Sequence, residues 1–161
     1  MSKPPRPSAE LQLREKSADA RNSWLDQMWR EYHHDLLGAG MSPEEAARNV
    51  ERNREQLFVD GEPVEGQFIF DVLDGDQVVG SLWLGTRPDS QEWYIYEIVV
   101  DEPFRGSGRG RSTMRAAEAY VKAQRGSRRG LNVFGPNVVA RHLYESMDYQ
   151  VMAVSMFKDL S

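Results

Sequence analysis

A chain of 161 residues, 40% hydrophobic and 28% charged, fits one globular domain with its own core rather than a disordered segment. It has no cysteine, which excludes a disulfide framework, a thiolate metal site and a cysteine nucleophile; no apolar run nears the roughly 20 residues of a membrane-spanning helix. The net charge of −5 weighs against general nucleic-acid binding and in favour of a cationic substrate, and the expected location is the cytoplasm.

Residues 1–10 begin Pro-rich and basic with no apolar stretch behind them, so they read as a flexible tail and not a signal peptide; residues 11–161 read as one domain. Residues 11–14 alternate as a short first strand. Ser17 is the N-cap of a helix over residues 18–37, stopped at Gly38-Ala39-Gly40, with Trp24, Leu25, Met28, Tyr32 and Leu36 at helical spacing. His33 and His34 are neighbours in it and point about 100° apart, which does not suit a shared metal. Ser42-Pro43-Glu44-Glu45 carries a capping box with proline at the first helical position, and starts a second helix that runs to Leu57. Asp60-Gly61-Glu62-Pro63 is expected to be a loop.

Strands follow. Residues 68–73 and 77–84 flank the hairpin signal Asp74-Gly75-Asp76, and residues 92–100 form a third strand rich in aromatic and β-branched residues. A helix is predicted over 108–124, a short strand over 131–134, a helix from Asn137 through Met147, and a last strand over 149–157. The strand–helix–strand unit from Glu92 to Phe134 predicts two parallel strands joined by a right-handed crossover. A ligand site is expected where such a sheet opens at its strand ends.

The local charge is more informative than the total. Eight basic residues and one acid, Glu118, lie between Arg105 and Arg129, and Arg105-Gly106-Ser107-Gly108-Arg109-Gly110-Arg111-Ser112 joins a strand to a helix. A helix N-terminus offers unpaired N–H groups and the positive end of a dipole, and a phosphate reaches them when side chains do not stand in the way. The three glycines give that access, and Arg105, Arg109 and Arg111 can add charge-assisted hydrogen bonds. A P-loop would need Gly-Lys-Ser/Thr where Gly110-Arg111-Ser112 stands, and a dinucleotide fingerprint would need glycine at 111.

Arg105, Gly108 and Gly110 resemble the acetyl-CoA motif Arg/Gln-x-x-Gly-x-Gly/Ala of the GNAT superfamily, with the strand over 94–100 running into it and a Met/Ala-rich helix after it. Residues 131–145 are similar to the second half of that pattern, Asn-x-x-Ala-x-x-Leu-Tyr, while Asp148 stands where members usually carry glycine. The resemblance implies an α/β fold with a mixed, mostly antiparallel sheet, a central splayed parallel strand pair and helices on both faces. It implies an N-acetyltransferase that moves acetyl from acetyl-CoA to a primary amine by direct attack in a ternary complex. The acceptor would be a small molecule or peptide, with no metal, nucleic acid or membrane involved, and the enzyme would be a monomer or homodimer. By the same resemblance, the segment from Arg105 to Ser112 cradles the pyrophosphate. The backbone of Val99 and Val100 lies along the pantetheine arm, with the Val99 N–H as oxyanion donor, and Asn132 and Asn137 line the other side. Tyr144 matches the family's usual proton donor.

For the base that frees the amine, Glu97 is first choice, acting through a water, because it sits mid-strand in an apolar run where a partly desolvated carboxylate has a raised pKa. The alternative is a surface-facing or salt-bridged Glu97, and Glu92, at the strand's start, is second choice as base. Two other functions fit the same motif: a transferase for a longer acyl-CoA, and a non-catalytic acyl-CoA-binding regulatory module. A pure binder would have little reason to keep both Glu97 and Tyr144.

Overall fold

Caps and turns set the elements in the first third of the chain. The computed structural model describes Ser2 and residues 10–160, so the tail read over residues 1–10 lies almost wholly outside the described residues. Strand β1 (Gln12–Glu15) leads to Ser17, whose Oγ accepts the Ala20 N–H at 3.3 Å and starts helix α1 (Ala18–Gly38). Helix α2 (Pro43–Leu57) begins with both halves of the capping box, Ser42 Oγ accepting from the Glu45 N–H and the Glu45 carboxylate accepting from the Ser42 N–H. The expected loop after it is instead a small hairpin, β2 (Phe58–Val59) against β3 (Glu62–Pro63), turning at Asp60-Gly61 with both residues at positive φ. Asp-Gly is the sequence signal for such a turn.

Strands β4 (Gln67–Asp74), β5 (Gln77–Thr86) and β6 (Trp93–Val100) follow, then a 3-10 turn at Glu102–Phe104, helix α3 (Arg109–Ala123), β7 (Arg129–Leu131) and α4 (Val138–Glu145). The main sheet has five strands in the order β1-β4-β5-β6-β7. Its first three pairings are antiparallel and β6–β7 is parallel, as the crossover through α3 requires.

The sheet is covered on both faces, which is why β5 is buried continuously from Val79 to Gly85 instead of alternating. On one face Met114, Ala117 and Val121 of α3 pack on Phe70, Leu82, Leu84 and Ile95. On the other, Leu25, Met28 and Trp29 of α1 pack on Ile69 and Trp83, with Trp29 and Trp83 edge to face at 5.7 Å.

The predicted last strand does not form. Residues 149–160 have no regular structure, and the apolar side chains beyond Tyr149 stand in solvent, Val151 at 61% exposure and Met156 at 89%. A strand exists only by pairing, and β7 ends at Leu131 after three residues, so the edge it offers is short. Asp148, standing where the motif has glycine, adopts φ 65°, the left-handed conformation that aspartate tolerates.

Candidate active site

The site is built around an irregularity in β6. Trp83 pairs with Glu97 while Leu84 pairs with Ile95, so Tyr96 is an extra residue, a β-bulge. Its effect is on which face each side chain takes. Ile95 and Ile98 both pack on the α3 side, although an odd separation would normally place them on opposite faces. Tyr96 goes to the α1 side, stacked on Trp83 at 4.8 Å, with Tyr94 against it at 5.1 Å. Glu97, opposite to Ile98, therefore joins the tyrosines on the α1 side.

There the Glu97 carboxylate is largely withdrawn from water. Burial pushes its pKa from 4.5 up to about 7; the Ile98 N–H, donating to Glu97 Oε1 at 3.2 Å, pulls the other way, and Asp35 and Glu31 of α1 push further up. Asp35 is itself raised, first by burial. Glu97 is thus neither surface-facing nor salt-bridged: no cation partners it among the described residues. Glu92 lies just outside β6 and is exposed.

The parallel pair separates next to this carboxylate. β6 and β7 pair only at Trp93–Arg129, Tyr94–Gly130 and Ile95–Leu131, whereas β6 continues to Val100. Beyond Ile95, one edge of β6 has no strand beside it among the described residues. The Asp101 N–H donates to the Val79 carbonyl at 2.9 Å, so by alternation Val99 turns its backbone groups toward β5. The residues that face the open edge are Ile98, whose N–H meets the Glu97 carboxylate, and Val100, whose carbonyl accepts from Arg105 Nε at 2.8 Å. The Val99 expected on that edge is one residue out of phase.

The glycine segment sits where this edge ends. Gly106 and Gly108 have φ of 76° and 88°, and Gly108 is the N-cap of α3. A Cβ added to either would meet no heavy atom within 4 Å, so both open onto free space, and glycine has no side chain with which to cap the first-turn N–H groups. Gly110 packs closer, a Cβ there lying 3.3 Å from Leu143.

The three arginines of the segment differ in placement. Arg105 is exposed and reaches back to Val100, and Arg111 donates to Ser146 Oγ at 2.7 Å, tying α3 to the end of α4. Arg109 turns inward, its side chain only 5% exposed, and pairs with Asp74 at 2.7 Å. Ser107 is buried and donates to the Phe104 carbonyl at 2.7 Å, and Ser112 is half-buried in the first turn of α3. Further along, Arg129 is paired with Glu118, so part of the basic run is structural.

Helix α4 closes the site from the other side. Asn137 caps it, Oδ1 accepting the Ala140 N–H at 3.3 Å, while Asn132 is exposed after β7. Tyr144 is 9% exposed, and burial, then the Glu97 charge, push its phenol up to about 12. Two tyrosines also gather here: Tyr32 of α1 faces Phe134 with ring centroids 6.3 Å apart, and burial pushes Tyr94 up to about 12. Two hollows of about 440 and 460 Å³ lie between α1 and α2, sharing Asp26, Trp29 and Arg54, and neither borders Glu97 or the glycine turn. Among the described residues no group of His, Asp and Glu is placed to hold a metal, and no helix is long and apolar enough to cross a membrane.

A sheet that opens beside a half-buried carboxylate and a glycine turn at a helix start is the frame of an acyltransferase. The chain belongs to the acetyltransferase (GNAT) family, whose model matches residues 19–149. It is 33% identical to the uncharacterized N-acetyltransferase YycN of Bacillus subtilis over 90 residues, 55% of this chain and 58% of that relative, less than two thirds of the relative's length. Uncharacterized N-acetyltransferase YdgE of the same bacterium is 27% identical over 119 residues, 72% of this chain and 76% of the relative. The crystal structure of YycN superposes with a TM-score of 0.84 at 26% identity, covering 94% of this chain and 99% of that one. A GCN5-related N-acetyltransferase from Ralstonia eutropha shares the fold, with a TM-score of 0.59, 20% identity and coverage of 93% and 98%.

Proposed function

We propose that the protein is an N-acetyltransferase that moves an acetyl group from acetyl-CoA to a primary amine of a small molecule or peptide, within a single domain. The observation that carries this reading is the parting of β6 from β7 after Ile95, which leaves an unpaired strand edge leading into the turn at Gly106 and Gly108. An extended pantetheine arm fits such an edge as an added strand would. The two glycines leave room for a pyrophosphate against the first-turn N–H groups of α3, with Arg105 and Arg111 at its rim.

When bound, acetyl-CoA supplies an acyl carbon activated as a thioester. The chain's own residues do the rest. Glu97, with a pKa near 7, is half ionised at neutral pH and takes a proton from the incoming ammonium, through a water or directly. The Ile98 N–H, on the open edge, passes from the Glu97 carboxylate to the acyl oxygen as negative charge builds there, the role expected of Val99. Tyr144 stays protonated at any physiological pH. A phenol near 12 is a weaker acid than an ordinary thiol at about 8.5, so Tyr144 serves the departing sulfur as a hydrogen-bond donor, and the sulfur takes up the second proton that the nitrogen sheds as the C–S bond breaks. Asp35 and Glu31 beside Glu97, with the Tyr32 and Phe134 rings, favour a cationic acceptor.

Calorimetric titration with acetyl-CoA, dephospho-CoA and ATP tests the reading. Micromolar binding selective for acetyl-CoA is expected, and no binding of acetyl-CoA overturns it.

A further inference from the structure

We propose that Asp74, at the end of β4, and Arg109 form a positioning pair that sets the glycine turn in the shape a pyrophosphate needs. The inference rests on the reading of that turn as the phosphate cradle. Arg109 is the first residue of α3, between Gly108 and Gly110, so its side chain leaves the backbone inside the cradle itself. Instead of reaching out to an anion, the guanidinium runs inward. Nη2 donates to Asp74 Oδ2 at 2.7 Å, Nη1 donates to Ser107 Oγ at 2.6 Å, and the guanidinium carbon lies 5.3 Å from the Phe104 ring centroid. Ser107 Oγ passes the chain on to the Phe104 carbonyl. One side chain thus connects the β4–β5 hairpin, the 3-10 turn and both sides of Gly108.

Stability alone does not account for this arrangement. The two side chains are 5% and 10% exposed, and an ion pair that deep is commonly no better than a packed apolar pair of similar volume. What a planar guanidinium adds is direction, two donors fixed in a fork that hold two acceptors at set positions. Asp74 also neutralises Arg109, so the pair offers a phosphate little net charge. Its contribution to binding is the orientation of the peptide units at 106–110.

A charge-neutral replacement separates geometry from electrostatics. In the double variant Asp74→Leu with Arg109→Met, burial is kept and one charge of each sign is lost. Hydrogen exchange of the 106–110 amides, measured without ligand, should accelerate, and the Kd and KM for acetyl-CoA should rise about tenfold, the equivalent of one lost charge-assisted hydrogen bond. The kcat at saturating acetyl-CoA and the KM for the amine should stay put, a split that general destabilisation does not produce. Unchanged exchange and unchanged Kd overturn the proposal. Should the double variant fail to fold, Arg109→Lys, which keeps the charge without the fork, should weaken acetyl-CoA binding several-fold, and wild-type affinity there overturns it equally. A wild-type protein that binds no acetyl-CoA would instead sink the cradle reading and the ligand half of this proposal, while the exchange rates still decide whether the pair orders the turn.

Discussion

Replacing Glu97 with glutamine tests the base and its environment together. The carboxyl rises from 4.5 to about 7 on folding, mainly because burial disfavours the anion. Between these values the native state holds a proton that the unfolded chain has released, so stability falls as pH rises from about 5 through 7. At 1.36 kcal/mol per pKa unit the anion costs the native state about 3 kcal/mol at pH 8. Glu97→Gln removes that anion while keeping size and polarity. The variant should therefore be more stable than the wild type at pH 8, by up to about 3 kcal/mol, with the advantage gone near pH 4. Urea unfolding at pH 4, 6 and 8 measures it. Activity should move the opposite way. In the wild type kcat/KM for the amine should climb with pH along a limb of apparent pKa near 7, and Glu97→Gln should lose that limb along with about a hundredfold or more of the rate at pH 8. A stability difference that does not change with pH would refute the burial argument, and wild-type turnover in the variant would refute the assignment as base.

Two further predictions bear on the rest of the site. Gly108→Ala puts a Cβ into open space at φ 88°, costing about 1–2 kcal/mol of left-handed strain and a few degrees of Tm, but it should cut acetyl-CoA affinity at least tenfold in calorimetry; wild-type affinity would count against the cradle. Tyr144→Phe keeps the buried ring and removes the donor, so steady-state kinetics should show kcat down about 10- to 100-fold with the Kd for acetyl-CoA little changed, and an unchanged kcat would retire the role.

Much of this fold is written in local signals. The capping box at Ser42, the N-cap at Ser17 and the Asp74-Gly75-Asp76 turn each act over a few residues, and each appears where the sequence places it. The left-handed turn at Asp148 was legible for the same reason. Features that depend on distant pairing were not. The strand expected over 149–157 has the right residues but no long edge to join, and the β2–β3 hairpin stands where a loop is expected although Asp60-Gly61 signals a turn. In the candidate site, Glu97 could be singled out because a carboxylate in an apolar run is conspicuous. The phase of the strand could not, since the extra residue at Tyr96 has no marker in the sequence and decides whether Val99 or Ile98 and Val100 face the gap. Likewise the sequence makes Arg109 look like a phosphate ligand, and only the position of Asp74, 35 residues away, shows that it is turned inward.

The bulge in β6 also restricts how this chain can vary. A strand reads its residues as odd and even, and the extra residue at Tyr96 shifts that count by one between Ile95 and Ile98. Deleting Tyr96 would remove the extra residue and leave Ile95, Glu97 and Ile98 alternating on the faces they hold now, at the cost of the ring stacked on Trp83, whereas deleting Ile98 would carry the carboxylate into the α3 core. A deletion in this stretch thus acts through the phase of the strand, and a substitution through the side chain alone. The identity of the residue lost, more than the change in length, therefore decides whether this site would survive a deletion between Trp93 and Val100.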